Sequence, residues 1–223
     1  MITQAPAHAK AAMVASLTEA FTDDPGLSWI WPDREDRLQR LPHFFEPIVS
    51  GTMANGIALH SPESEAVSLW RQPGRIDPNA EEMAGSLPSM ARAFSQGLER
   101  SQLMSATLKA HRPAGFDWWY LQFIGVRPAT QGSGLGGAVI RTGLDLASAA
   151  NLPVYVEVMN PANLGYYRHI GFETLEDFDL PDAGPHVWAM LWRGDTSPSS
   201  RRKSGPREPG GIARDSGSRR SPG

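Results

Sequence analysis

The chain has 223 residues, 40% hydrophobic and 20% charged, with no cysteine and a net charge of −3, the composition of a soluble folded protein. The missing thiols exclude a disulfide framework, a cysteine nucleophile and a thiolate metal site. The charge is divided: residues 1–195 carry 14 bases against 22 acids, net −8, and residues from Thr196 onward carry seven against two, net +5, so the body excludes a surface that tracks phosphate backbones and suits a cationic, amine-bearing substrate.

Met1–Lys10 lacks the basic-then-apolar layout of a signal peptide, and no apolar run reaches the ~18 residues of a membrane span, so a cytoplasmic location without membrane contact is expected. Pro6–Phe21 reads as a helix, with Met13, Leu17 and Phe21 at a four-residue spacing. Asp23-Asp24-Pro25-Gly26 stops it, and Leu27–Pro32 follows as an aromatic connector. Its Trp29 and Trp31 either anchor the loop to the core or line a ligand pocket. Asp33 caps a second helix through Leu38, Leu41, Phe44, Phe45 and Ile48, which Pro42 and Pro47 should interrupt or kink.

Ile57–His60 and Ala66–Trp70 read as a hairpin. Between residues 72 and 116, Met90–Leu98 and Gln102–Ala110 have helical character and carry no catalytic pattern. Asp117–Val126, bulky and aromatic between Gly115 and Pro128, is the strongest strand. Then comes Gln131-Gly132-Ser133-Gly134-Leu135-Gly136-Gly137, opening a helix to about Ala150 whose Leu135, Val139, Leu146 and Ala150 form one stripe. Four glycines in six residues leave little side chain over the loop, and a helix N-terminus favours an anion, most often phosphate or pyrophosphate. Val154–Met159 is a buried strand holding one acid, Glu157; Ala162–His169 is a short helix ending at Gly171, and Phe172–Phe178 and His186–Trp192 close the sheet. From Thr196 the residues are mostly Ser, Gly, Pro and Arg, too few of them apolar to offset the entropy of ordering.

The glycine loop also satisfies G-x-G-x-x-G, with Glu157 20 residues past Gly137 where a dinucleotide fold puts its ribose-binding acid. Against an NAD(P) oxidoreductase stand the five residues 127–131 between strand and loop, and the lack of room for further βα units after Glu157. So does a second pattern, Asn160-Pro161-Ala162-Asn163-Leu164-Gly165-Tyr166-Tyr167-Arg168-His169-Ile170-Gly171-Phe172.

With Gly125-Val126-Arg127-Pro128 and the loop, this pattern resembles the GNAT superfamily of acyl-CoA-dependent N-acetyltransferases. The likeness is best over residues 117–193; residues 179–190 resemble the end of puromycin N-acetyltransferase and its relatives, and the family's first strand is missing or reduced to Ile2-Thr3. The resemblance implies an α/β (α+β) fold: a mixed, mostly antiparallel sheet of six to seven strands, flanked by helices and splayed in the middle for CoA. It implies one acetyltransferase domain over residues 1–195, followed by a disordered basic tail over 196–223. Acetyl-CoA is the implied co-substrate, with no metal, and a small-molecule or peptidic primary amine the acceptor; no nucleic acid partner is expected, and the chain is a monomer or homodimer.

By the same resemblance, Gln131, Gly132, Ser133, Gly134, Leu135 and Gly136 hold the pyrophosphate. Ile124, Gly125 and Val126 pair with the pantetheine arm, Asn160 or Asn163 bonds it, and Tyr167 is the acid that protonates the departing thiolate. Tyrosine suits that role because its phenol is a neutral donor at pH 7. An alkyl ammonium with a pKa near 10 leaves only about one molecule in a thousand nucleophilic at neutral pH, so a base is needed. Glu157, the one acid well inside either buried strand, is either that base or a polar residue that orders water or substrate; His43, His60 and His111 are substitutes. Trp29, Trp31 and Phe45 are the candidate acceptor-binding residues, and acceptor specificity is expected from them, from the helix around Phe44-Phe45 and from the 72–116 segment. A non-catalytic acyl-CoA-binding sensor is the alternative reading.

Overall fold

Seven strands, seven α-helices and three short 3-10 turns are found in the described residues, 1–194, of this computed structural model. In chain order the strands and α-helices are β1 (Thr3–Gln4), α1 (Lys10–Ala20), α2 (Pro25–Ile30), α3 (Arg34–Asn55), β2 (Ile57–His60), β3 (Ala66–Arg71), α4 (Ala80–Ala93), α5 (Leu98–Ala110), β4 (Trp119–Val126), α6 (Leu135–Ala149), β5 (Val154–Val158), α7 (Leu164–His169), β6 (Phe172–Asp179) and β7 (His186–Trp192). The strands form one sheet in the order β1-β2-β3-β4-β5-β7-β6, antiparallel at every step except β4–β5. This is the mixed, mostly antiparallel sheet that the motifs imply, not the doubly wound parallel sheet of a dinucleotide fold. The expected boundary at residue 195 and the basic tail lie outside the described residues.

The parallel step is incomplete. β4 and β5 meet only at Trp119↔Val154 and Tyr120↔Tyr155. Beyond those pairs β4 continues to Val126 against β3, and β5 to Val158 against β7, so the two strands part and expose facing edges. The β3–β4 ladder jumps at the same level: Leu69 faces Phe123 and Trp70 faces Leu121, leaving Gln122 as the extra residue of a bulge. The bulge reverses the alternation of β4. Leu121 packs with α6 on one face, whereas Phe123 packs with the helices of the other.

Those faces carry separate cores. One joins Leu59, Trp70 and Leu121 to Val139, Ile140 and Leu144 of α6. The other joins Ala58, Val67 and Leu69 to Met13 and Leu17 of α1 and to Leu41, Phe45 and Val49 of α3. Gly143 is what lets α6 lie so close: a Cβ there would fall 2.0 Å from the Trp70 ring. This contact also corrects the expected helix face. The buried positions are Val139, Ile140, Gly143, Leu144 and Ala147, and Leu146 and Ala150 are exposed, because the helix turns its glycine, not an apolar side chain, toward the tryptophan.

Other boundaries differ for identifiable reasons. The aromatic connector is helical over Pro25–Ile30: Asp24 Oδ1 accepts from the Leu27 amide at the N-cap, and Pro25 follows it in the first turn. α3 runs unbroken through Pro42 and Pro47, each of which costs about 3 kcal/mol in an isolated helix interior; burial of Leu41, Phe45 and Val49 offsets that. The expected helix over Met90–Leu98 is instead the end of α4, a break, and the start of α5 at the left-handed Gly97. α4 begins ten residues earlier, where Asn79 and Glu82 close a capping box. The first strand is present but two residues long, Thr3–Gln4 against His60 and Leu59.

Candidate active site

The glycine loop owes its shape to two positions. Gly132 (φ +81°) and Gly134 (φ +85°) occupy left-handed backbone, which side chains with a Cβ enter only at a cost. Among the described residues nothing lies within 4 Å of where a Cβ would stand at either position, so the loop's face is open. Its other side is tied down: Ser133 Oγ donates to Thr130 O (2.6 Å) and Gln131 Nε2 to Val126 O (3.3 Å). α6 begins at Gly134 without a side-chain cap, and the amides of Gly132, Gly134, Leu135, Gly136 and Gly137 have no backbone acceptor among the described residues. Five free donors at a helix N-terminus constitute an anion-binding nest.

This nest forms one wall of a cavity of about 840 Å³ whose other walls include Ile124, Gly125, Val126, Asn160, Asn163 and Tyr167. Of the loop residues expected to line it, Ser133 does not, because its hydroxyl is turned inward onto Thr130. A second cavity of about 420 Å³ lies on the far side of the strand gap. The two share Phe21, Asp24, Ile124, Asn160, Asn163 and Tyr167, the point where they meet.

Tyr167 is 6% exposed and held edge-on against Phe172 at 5.4 Å. Burial pushes its phenol above the usual 10, so it stays protonated at neutral pH. Asn160 accepts from the Ala162 amide (3.0 Å) and so orders the single 3-10 turn Pro161–Asn163, whereas Asn163 makes no cap bond for α7.

Glu157 lies across the gap, on the wall of the second cavity alone. The Tyr120 hydroxyl donates to its Oε2 at 2.5 Å, and its buried Oε1 has no partner among the described residues. Burial raises its pKa above the ordinary carboxylate value, although the Tyr120 bond and the nearby Arg112 charge act in the opposite direction. Arg112 lies 5.3 Å over the Tyr120 ring and donates to Asp77 at 2.7 Å. A desolvated carboxylate that is hard to ionise, one oxygen unpaired, is a proton acceptor or an ammonium ligand.

The acceptor-side expectations need correction. Phe45 is fully buried between Phe21 and Phe123, and Trp31 is buried with its indole N–H on Gln96 O (3.1 Å). Trp29 donates to Asp182 O and carries Arg100 over its ring at 5.4 Å. None of the three lines either cavity; Phe44, one position away from Phe45 on α3, does. Adjacent residues on a helix point about 100° apart, and composition does not say which of them faces the cleft. His43, His60 and His111 are also off the cavities; His60 bonds Ser64 Oγ at 2.8 Å and His111 stacks on Phe178 at 3.7 Å. Missed altogether were Asp24, whose capping role concealed it, and Tyr120, whose pairing opposite Tyr155 brings it to Glu157. No cluster of three or more metal-ligating side chains exists among the described residues, and no helix there is long and apolar enough to cross a membrane.

Residues 92–172 match the Acetyltransferase (GNAT) family. An uncharacterized N-acetyltransferase of Schizosaccharomyces pombe is 27% identical over 171 residues, 71% of this chain and 68% of that one. Mycothiol acetyltransferase of Streptomyces avermitilis is 39% identical over 71 residues, 30% of this chain and 22% of the relative. The fold is similar to a Corynebacterium glutamicum structure described as histone acetyltransferase HPA2 and related acetyltransferase, with a TM-score of 0.66 at 22% identity over 89% of this chain and 98% of that one. It is also similar to arylalkylamine N-acetyltransferase 2 of Aedes aegypti, with a TM-score of 0.58 at 14% identity over 86% and 97% of the two chains.

Proposed function

We propose that this chain is an N-acetyltransferase of the GNAT superfamily that moves the acetyl group of acetyl-CoA directly to a primary amine, with Tyr167 as acid and Glu157 as base. The observation that carries this reading is the continuity of the cleft. A backbone nest for a diphosphate opens into a cavity that meets a second, carboxylate-bearing cavity beside Tyr167.

The residues present fit acetyl-CoA. The nest faces outward with no side chain of the described residues above it, and the free edge of β4 from Leu121 to Val126 offers peptide groups to the amides of a pantetheine arm. When bound, acetyl-CoA supplies the acetyl group as a thioester. The chain's own residues then perform three tasks. Loop amides from Gly132 to Gly136 hold the diphosphate, and Asn160 or Asn163 bonds the arm. Glu157, directly or through a water, takes a proton from the ammonium and frees the nitrogen lone pair. As the C–N bond forms and the C–S bond breaks, the Tyr167 phenol gives its proton to sulfur, which leaves as a neutral thiol, and the second proton shed by the acylated nitrogen restores the phenol. Burial suits both groups to these roles: it holds Tyr167 protonated and makes Glu157 a stronger base than a solvated carboxylate.

Release of free thiol from acetyl-CoA, followed with a panel of primary amines, tests the reading. Amine-dependent release is expected. Binding of acetyl-CoA without release for any amine would instead fit a sensor.

A further inference from the structure

Resting on that reading, we propose that the acceptor is a monoamine with an apolar body, aryl or branched alkyl, bound with its ammonium between Asp24 and Glu157. The argument lies in the distribution of charge on the second cavity. Its carboxylates are Asp24 and Glu157, both on the strand-gap side. Its one cation among the described residues, Arg112, is engaged by Asp77. The walls contributed by α3, α4 and α5 contain no carboxylate; they present Phe44, Ile48, Met90, Met104 and Leu108, with the hydroxyls of Ser101 and Ser105. At about 420 Å³ the space falls near the lower end of small-molecule sites, roughly 300–1,000 Å³.

Asp24 is the more informative carboxylate because it lines both cavities and therefore stands where donor and acceptor meet. Its Oδ1 accepts from the Leu27 amide at 3.0 Å, which fixes the side chain against α2. The wall next to it is trimmed to size: a Cβ on Gly26 would lie 2.6 Å from Met159 Sδ and 3.2 Å from both Asp24 Oδ1 and Met104 Cε. A first ammonium thus meets two half-buried acids. A second or third, as in a polyamine or an aminoglycoside, would be driven against a largely apolar wall that offers, among the described residues, two hydroxyls and no carboxylate.

The test compares 2-phenylethylamine and isopentylamine with spermidine and kanamycin at saturating acetyl-CoA, alongside calorimetric binding of each amine to the CoA-loaded protein. The apolar monoamines should bind more tightly and show kcat/KM at least about tenfold higher. Asp24→Asn keeps an equivalent N-cap acceptor and removes the charge. It should raise the KM for 2-phenylethylamine about tenfold without lowering the melting temperature. Met104→Glu should move the preference toward spermidine. A native preference for spermidine or kanamycin, equal rates for all four amines, or acetyl-CoA binding with no turnover of an apolar amine would overturn the inference alone. Failure of acetyl-CoA to raise the melting temperature would instead remove the acetyltransferase reading and the inference with it.

Discussion

The two halves of the cleft are built from different materials. The half proposed for CoA is made largely of backbone: amides of a glycine loop, the free edge of β4 and an uncapped helix start. The half proposed for the acceptor is made of side chains from separated segments that include α2, α3, α4, α5, β4 and β5. A backbone site constrains residue type at fixed spacing, because only glycine enters left-handed turns freely and leaves donors uncovered. A side-chain site can be assembled from any apolar residues that the fold brings together, so it leaves little local trace.

Breaking the backbone half should have the largest effect. Gly134→Asp places a carboxylate in the nest and should weaken acetyl-CoA binding by about a hundredfold or more, measured by calorimetry. Gly134→Asn bears a similar backbone cost at φ +85° without the charge, and should lose much less. Next comes the junction. Tyr167→Phe keeps the ring against Phe172 but removes the proton, and should lower kcat about 10²-fold with acetyl-CoA affinity within about twofold.

Glu157→Gln should act on the acceptor half, lowering amine kcat/KM at pH 7 by about 10–100-fold. It should also raise the melting temperature. The folded pKa of Glu157 lies above its unfolded value, so the ionised form opposes folding, and that cost grows as pH rises from the unfolded pKa through the folded one. The stability gain of the variant should therefore be present at pH 7 and shrink toward pH 4. In wild type, kcat/KM should rise with pH on a limb displaced upward from the ordinary carboxylate range. Smallest of all, Trp29→Phe should leave the KM of both substrates within about twofold, since Trp29 borders neither cavity.

Much of this organisation was legible from residue order. The hairpin, the long strand, the two motif blocks and the closing strands lie where apolar runs and glycine or proline punctuation place them. The positions of Tyr167 and Glu157 along the cleft were likewise readable, because each is tied to a motif or to a lone acid in an apolar strand. What remained hidden depends on registers between distant segments. The bulge at Gln122 decides which side Phe123 faces, and nothing in Trp118–Val126 announces it. Phe44 and Phe45 look equivalent until α3 is docked against Phe21 and Phe123. Asp24 reads as a helix stop, and it is one, but the same carboxylate also borders both cavities. A residue doing two jobs shows only the local one in sequence.

The contrast between the halves reduces to whether free amides of the glycine loop grip the diphosphate. Titrating ¹⁵N-labelled protein with CoA and, separately, with pantetheine, which lacks that group, addresses this directly. With CoA, the amide protons of Gly132, Gly134, Leu135, Gly136 and Gly137 should move downfield together, and pantetheine should leave them nearly still while perturbing Ile124–Val126. Loop amides unmoved by CoA, or moved equally by pantetheine, would contradict the account.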